Sequence, residues 1–466
     1  MLPDGIAMRY ASAGIYGRTS IDVRARPRDR PSGGLPAFGS LGCNAFVTSY
    51  GGAHQGKAMN VVDARCVPAI VMGQGATALG ILRSLALAGI PAYVACPPDD
   101  LATRSRWFRP PPGAPWAGRP GPSAMAALRA MPLDRAVLIP GADDAALWLS
   151  ELPSSDLGSR FAVSTATRGV QALLQDKAAF AAHLAATGIP HPRTFHLGSL
   201  SDVAAVPMEA LQRVFIKPVN SQRFSDVVGV KGVWVQSRDE LRETWARLHA
   251  QGFSLMAQEY LPGPATEHVF IDGFRDGKGE YAGLFARQRV RMSPPDFGNS
   301  SCSRSIPLAD VGEAVGHVRH LLDGLGYRGI FSAEFKRDPR DGVFRILEVN
   351  TRAWTYVEFA ARRGVNVCEM AWRDALGQPV PAAVERYPVG KRCIDLYHDL
   401  ASLGRTPGLG VAGRVRAAFE WARADLHVFR LDDPGPALHV LGGLVRKRLE
   451  RMGPAQAVRS KSPRRS

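Results

Sequence analysis

The chain has 466 residues, 45% of them hydrophobic and 21% charged, with a net charge of +16. That length allows two or three domains with sizeable cores, and the composition excludes wholesale disorder. No apolar run reaches the roughly 18 residues that a membrane helix needs, and the N-terminus lacks the compact apolar core of a secretory signal.

The charge is unevenly spread. Residues 1–57 carry +4 and the tail 446–466 carries +7, leaving about +5 on the body. Much of the excess therefore sits in expected tails, where it could touch RNA, acidic lipid or nothing. No RNA-binding aromatic motif or zinc knuckle accompanies it, which argues against nucleic acid as a partner. Residues 1–60, rich in Gly, Arg, Ser and Pro without periodicity, read as a disordered extension, with Met59 as an alternative start. Their Arg-rich, acid-poor character also suits a transit segment, but no amphipathic helix supports that reading. The six cysteines (Cys43, Cys66, Cys96, Cys302, Cys368 and Cys393) include no CxxC pair. That speaks against a zinc site or a disulfide framework and for a reducing cytoplasm.

From about residue 67 the pattern becomes regular. PAIVMGQGATALGILRSLALAGIPAYVAC (68–96) reads as strand, glycine turn, amphipathic helix and second strand. Gly73 and Gly75 permit a tight turn, but the next glycine is Gly80, so the dinucleotide fingerprint is incomplete and packing alone explains the glycines. AVLIPGADD (136–144) reads as another buried parallel strand. A small α/β domain over 67–165 is expected. RGVQALLQDKAAFAAHLAATG (168–188) reads as a helix ending at Gly188, followed by extended IPHPRTF. RVFIKPVN (213–220) and GVKGVWVQS (229–237) read as strands, RDELRETWARLHAQG (238–252) as a charged amphipathic helix, and FSLMAQEYLPG (253–263) as a strand entering a turn. EHVFIDGFRDGKGEYAGLFARQRVRM (267–292) alternates like a hairpin, and DVGEAVGHVRHLLDGLGY (310–327) like a helix.

FSAEFKRDPRDGVFRILEVNTRAW (331–354) then reads as two strands joined by the turn RDPRDG. A hairpin centred on Asp341 sets Glu334 opposite Glu348, a repulsive pair unless something positive meets it. Asn350 shares the face of Glu348. Two carboxylates and an amide oxygen are hard ligands that suit Mg²⁺ held with a nucleotide's phosphates. Solvated edge-strand acids, or acids salt-bridged to nearby arginines, account for the same residues equally well at this level.

Four segments in order, LLQDKAAFAAHLAATGIPHPRTF, FIKP, AQEYLPGPATEHVF and AEFKRDPRDGVFRILEVNTR, resemble the ATP-grasp ligases. The branch they resemble most is that of carboxylate–amine ligases, D-aspartate ligase-like, over roughly 67–375. The resemblance implies an ATP-grasp fold, α/β plus α+β, with an N-terminal Rossmann-like domain (67–165), a small lobe (168–262), a large metal-bearing lobe (263–390) and a helical C-terminal extension (391–466). It implies that Lys177 and Lys217 contact phosphates, that Glu259 and Leu261 lie at the adenine, and that Glu267 accepts from the ribose hydroxyls. Glu334, Glu348 and Asn350 then become Mg²⁺ ligands, with Mn²⁺ as an alternative ion. Arg289 and Arg352 resemble arginines near the acyl-phosphate oxygens, with Arg291 as the alternative should Arg289 be off by one alternation. Arg287 is expected to be structural. The loop after Lys217 is poorer in glycine than the usual phosphate-covering lid, so Ser225 or Lys231 could contribute there.

The implied reaction is ADP-forming: ATP phosphorylates a carboxylate, of an amino acid or small peptide, and an amine displaces the phosphate. Its rivals are a carboxylase-type enzyme activating bicarbonate and an inactive ATP-binding scaffold. Expected partners are small-molecule carboxylates and amines. Beyond about 390 the resemblance fades into expected helices. Of these, ALHVLGGLVRKRLERM could dock on the body or on an anionic membrane, and docking on the body is the expectation.

Overall fold

The computed structural model describes residues 67–452 apart from 114, 212, 219–223, 225–226, 228–231, 295–297, 382–385 and 405–408. The expected extension over 1–60, Cys43 and Cys66, and Ser225, Gly229 and Lys231 of the loop after Lys217 lie outside the described residues.

Strand β1 (Ala69–Met72) is buried along its whole length, as the middle of a parallel sheet requires. It lies in a sheet of order β2-β1-β3-β4 with β2 (Ala92–Ala95), β3 (Ala136–Pro140) and β4 (Phe161–Ala162), every pairing parallel. Helix α1 (Gly75–Leu87) connects β1 to β2, and α2 (Pro122–Ala130) and α3 (Asp143–Leu149) follow. Gly75 takes a φ of 65° and donates its N–H to Asp100 Oδ2 at 2.7 Å. A carboxylate of the chain itself thus meets the start of α1. A Cβ on Gly73 would lie 3.0 Å from Gly141 Cα, and one on Gly80 3.2 Å from Val357. These glycines serve close packing.

The helix expected over 168–188 is two helices, α4 (Arg168–Gln175) and α5 (Lys177–Ala186). Asp176 makes the break: its backbone is extended, and its Oδ1 accepts from the N–H groups of Ala178 and Ala179, each at 2.9 Å. A capping aspartate satisfies donors that a continuous helix would have used itself. Lys177 consequently opens a helix. Both helices were expected in the small lobe, but they pack on the large sheet, where Leu174, Phe180 and Leu184 share a core with Ile271, Phe331 and Phe335.

The small lobe's sheet has the order β5-β8-β6-β7, from β5 (Thr194–Leu197), β6 (Val214–Pro218), β7 (Val233–Val235) and β8 (Leu255–Glu259), all antiparallel. Its apolar face is already covered by α6 (Leu200–Ala205), α7 (Met208–Leu211) and α8 (Arg238–His249), through Val203, Met208, Leu241, Trp245 and Leu248. That leaves α4 and α5 to the larger sheet.

The large sheet has the order β13-β12-β9-β10-β11-β14-β15. It is built from β9 (His268–Arg275), β10 (Tyr281–Ser293), β11 (Asn299–Ile306), β12 (Gly329–Arg337), β13 (Phe344–Asn350), β14 (Arg392–Ile394) and β15 (Asp425–Leu426). Helix α9 (Gly312–Gly324) covers one face with α4 and α5. On the other side, Phe274, Phe285 and Ile330 join α10 (Val357–Ala361), α11 (Val367–Ala375) and the first domain in one continuous core. The first domain is therefore cemented to the large sheet.

The C-terminal extension departs from the helical expectation. It supplies β14, antiparallel to β11, and β15, parallel to β14. Unpaired N–H and C=O groups along β11 make that edge a template for the short segment RCI, whose own outer edge then takes DL. Helices α12 (Leu396–Gly404), α13 (Val411–Arg423) and α14 (Gly435–Met452) complete the chain. Fully buried Arg83 of α1 anchors this region. It donates to Asp433 Oδ2 at 3.0 Å, to Glu358 at 3.4 Å and to the carbonyls of His427 and Val428. Pro436 and Ala437 at the start of α14 are buried and Val440 packs on the core, so the expected docking on the body holds for that end of the helix.

Candidate active site

In the hairpin β12–β13 Glu334 pairs directly with Glu348, as expected, and Asn350 with Ser332, but through an irregularity between Glu334 and Phe335: nearer the turn the ladder is offset by one, with Phe335 opposite Ile346 and Arg337 opposite Phe344. Its turn is closed by Asp338, whose carbonyl accepts from the Gly342 N–H at 2.7 Å and whose carboxylate accepts from the Arg340 N–H at 3.0 Å. Gly342 adopts a φ of 76°, a conformation that glycine takes without steric cost. Glu334, Glu348 and Asn350 thereby converge on one face of the sheet.

The two carboxylates have different surroundings. Glu334 Oε1 accepts from Arg289 Nη2 at 2.9 Å and meets His268 Nδ1 at 2.8 Å. Burial by itself would raise the Glu334 carboxyl, but the Arg289 guanidinium and the His268 ring outweigh it and hold the group well below the usual carboxylate range. His268 is pushed down by burial and by Arg289, against the pull of Glu334. It is therefore neutral near pH 7 and donates from Nδ1. Glu348 is exposed, and its Oε1 accepts from Asn350 Nδ2 at 3.3 Å.

Arg289 is buried and also donates to Ser300 Oγ at 2.9 Å. Arg287 is tied to the fully buried Asp272 at 2.7 Å and lies over the Phe270 ring at 3.7 Å, the structural role expected of it. Burial, the strongest influence on Asp272, raises its carboxyl despite Arg287 and Ser332. Arg291 does not continue the alternation, because the ladder to β11 is irregular between Arg289 and Met292. It grips Asp399 of α12 with two bonds, at 2.8 and 2.7 Å, and Glu420 of α13 at 2.7 Å. That ties Arg291 to the C-terminal helices and leaves Arg289 as the arginine beside Glu334.

On the small sheet, Lys217 Nζ donates to Gln258 Oε1 at 2.7 Å. Lys177 is half-buried at the head of α5. Two residues before it, Gln175 reaches Thr351 Oγ1 at 3.3 Å, next to Asn350. The Glu259 carboxylate is buried between Arg340, at 2.7 Å, and the Arg193 N–H, at 3.2 Å. Burial opposes ionisation there, but Arg340 and Arg193 overcome it and keep the group charged. Its side chain is thus engaged with the hairpin turn. Leu261 is buried and its carbonyl accepts from Lys336 Nζ at 2.7 Å. Glu267 is half-buried at the end of a short 3₁₀ turn, Ala265–Glu267, against Gly263.

Arg352 holds Asp143, the first residue of α3, with two bonds at 2.8 and 3.2 Å, and donates to Asn350 Oδ1 at 3.2 Å. One guanidinium therefore joins the first domain to the carboxylate strand. Sequence reasoning missed His268, Asp143, Gln258 and Arg340. His268 had a usable signal, since alternation along HVFIDGF puts it on one face with Phe270 and Asp272. The others meet the site only through tertiary contacts.

Among the described residues, no three His, Cys, Asp or Glu side chains gather into a metal-binding group. The set here is two carboxylates and an amide oxygen, the hard donors that suit Mg²⁺ when phosphate oxygens and water complete the shell. The described cysteines, Cys96, Cys302, Cys368 and Cys393, are buried free thiols. No helix of the described residues is long and apolar enough to cross a membrane.

No family model matches the chain. A D-aspartate ligase of Enterococcus faecium is 22% identical over 169 residues, 34% of this chain and 39% of that protein. The chain thus aligns with about two fifths of that relative's length. Among solved structures, N5-carboxyaminoimidazole synthetase from Staphylococcus aureus, complexed with ADP, superposes with a TM-score of 0.52 at 14% identity, over 70% of this chain and 81% of that one. The biotin carboxylase domain of 2-oxoglutarate carboxylase from Hydrogenobacter thermophilus, complexed with MgADP and bicarbonate, gives 0.54 at 16%, over 70% and 73%. Carboxyaminoimidazole ribonucleotide synthase from Aspergillus clavatus, complexed with ATP, gives 0.53 at 15%, over 71% and 81%. At these identities the likeness fixes the fold.

Proposed function

Since the chain has the ATP-grasp fold, we propose that it is an ADP-forming ligase that activates a small carboxylate with ATP and couples it to an amine. The observation that carries this reading is the pairing of Glu334 with Glu348, with Asn350 on the same face and Arg289 against Glu334. Facing carboxylates are costly unless cations meet them. Arg289 meets Glu334 in part, and Mg²⁺ bound with ATP would meet both.

Each group has a role in such a reaction. Phosphoryl transfer is catalysed mainly by positioning and charge neutralisation. Glu334, Glu348 and Asn350 would hold Mg²⁺, which supplies charge neutralisation at the phosphate oxygens. The relative solved with MgADP carries that ion, so manganese is not part of the reading. Lys217, oriented by Gln258, and Lys177, at the head of α5, place ammonium charges for phosphates. The main chain around Glu259 and the apolar Leu261 would meet the base, because the Glu259 carboxylate is engaged by arginines. Glu267 would accept from ribose hydroxyls. Arg289 and Arg352 present planar guanidinium groups to the acyl phosphate. The γ-phosphoryl group passes to the carboxylate oxygen and ADP leaves. An amine then attacks the acyl carbon, phosphate departs, and an amide remains.

The weak likeness to a D-aspartate ligase supports an amino-acid or small-peptide carboxylate. A bicarbonate-activating reaction is the second reading, favoured by the relative solved with bicarbonate. The deciding experiment is a coupled ADP-release assay with pooled amino acids and, separately, with bicarbonate. Amino-acid-dependent ADP release that disappears in Glu348→Gln supports the ligase. Bicarbonate dependence without amino-acid dependence transfers the chain to the second reading. ATP binding with no turnover under either condition leaves a scaffold.

A further inference from the structure

Helix α13 is turned inside out. Its inward side, around buried Ala417, is held by polar contacts: Glu420 is bonded to Arg291 at 2.7 Å and lies 2.6 Å from Arg392, and the Trp421 indole N–H donates to Asp399 at 2.8 Å. Its outward side is apolar. Val411, Ala412, Val415, Ala418, Phe419 and Ala422 are all exposed, Val411 at 79% and Phe419 at 61%. At 100° per residue these six form one stripe. Exposed Arg414 borders it on one side, and exposed Arg416 and Arg423 on the other. The helix has one acid, Glu420, and it points into the body.

A second helix repeats the pattern. The start of α14 docks through Pro436, Ala437 and Val440, but Leu438, Leu441 and Val445 are exposed on one face, with exposed Arg446 and Arg448 beside them. Leu431, in the connection before it, is 88% exposed. Among the described residues, nine of the thirteen exposed large apolar side chains fall at or beyond residue 400, so the apolar surface is concentrated in this extension. Concentrated apolar surface marks an interaction site.

We infer that the C-terminal extension docks on an anionic lipid surface, with the α13 stripe entering the headgroup boundary. An apolar stripe with arginines on both borders is the signature of a helix lying in a membrane interface, where burial and attraction to anionic lipid add together. Charge also disfavours the other occupants. Two copies of this chain meeting through the stripe would set rows of arginines against each other. The N-terminal residues 1–57 are themselves basic, at +4, and would be repelled in the same way. A bilayer rich in acidic headgroups complements both the stripe and its borders.

The test is sedimentation of the full chain with phosphatidylcholine vesicles containing about one third phosphatidylserine, against pure phosphatidylcholine. Binding to the anionic vesicles should be at least about tenfold tighter and should weaken as salt is raised. Val415→Ser with Phe419→Ser should weaken it about tenfold. Arg414→Glu with Arg423→Glu should do the same without changing the apolar stripe. Both pairs replace exposed side chains, so melting temperature and any ADP release in solution should match the parent. The inference is overturned if the anionic vesicles fail to sediment the protein. It is equally overturned if the serine variant binds like the parent, since basic residues elsewhere then suffice. A concentration-dependent dimer abolished by that variant would hand the stripe to a second copy.

Discussion

Arg289 reaches Glu334 at 2.9 Å, while Glu348, Glu334's partner across the ladder, faces solvent. One carboxylate is already compensated in part by the protein, and the other would depend on the proposed cation. The two should therefore fail differently. Glu348→Gln should lower ADP release by about 100-fold or more while moving the melting temperature by no more than about 2 °C. Glu334→Gln should lower activity too, and should destabilise the fold by about 2–4 kcal/mol, because Arg289 is left buried beside a neutral amide. Urea titrations alongside single-turnover assays separate the two cases. Equal stability losses would contradict the division.

Lys217 rests on Gln258, so the lysine and its support can be separated. Lys217→Ala should cut kcat/KM for ATP by about 100-fold. Gln258→Ala, which keeps the charge and loses its orientation, should cost about tenfold or less. Steady-state ADP release with varied ATP distinguishes them, and an unaffected Lys217→Ala protein would remove this lysine from the site.

Asp143 belongs to the first domain but positions Arg352 of the second. The pair is partly exposed, so Asp143→Ala should cost less than about 1 kcal/mol in stability. Its effect belongs in turnover, expected to fall about 3- to 10-fold through loss of orientation. Arg352→Lys should lose more, since an ammonium cannot replace the planar fork that spans Asp143 and Asn350. Kinetics and denaturant titrations on both variants decide the matter. A lysine variant with parental kcat would argue that Arg352 only bridges domains.

His427 gives the fold a pH dependence of its own. Burial holds the ring down to about 4, with Arg83 helping and Asp395 opposing, and its Nε2 is buried without a hydrogen-bond partner among the described residues. Unfolded, the ring titrates near about 6.5. Between those values the unfolded chain binds a proton that the folded chain refuses. This contribution to stability is therefore whole above about pH 6.5 and is lost as the pH falls towards 4, at up to about 1.4 kcal/mol per unit. His427→Gln lacks that loss. Between about pH 7.5 and 5 its melting temperature should fall by several degrees less than the parent's. Equal falls would show that the ring protonates in place.

Although the pairing of Glu334 with Glu348 also needs an irregularity between Glu334 and Phe335 that counting does not show, the hairpin itself was legible because its information is local: RDPRDG makes the turn between two strands. The helix break at Asp176 was missed for the opposite reason. Ala and Leu on both sides have good helix propensity, and only the cap geometry shows that the aspartate starts a new helix instead of continuing the old one. Arg291 misled through strict period-2 counting, which the irregular ladder beside β11 interrupts. His268 lay within reach of that same counting. Asp143 did not, because 209 residues separate it from the arginine it holds. The strands β14 and β15 are three and two residues long, too short for any periodicity to register.

Those two short strands decide how the molecule can be cut. β14 seals the outer margin of β11, and Arg291 from the neighbouring β10 reaches past it to Asp399 and Glu420. A chain ending at residue 390 would lose the seal and both acids, and would leave Arg291 stripped of its two carboxylates beside a raw, adhesive sheet margin. The C-terminal extension from residue 391 is thus a wall of the large lobe, and pruning it for convenience would invite clumping rather than yield a smaller, well-behaved protein.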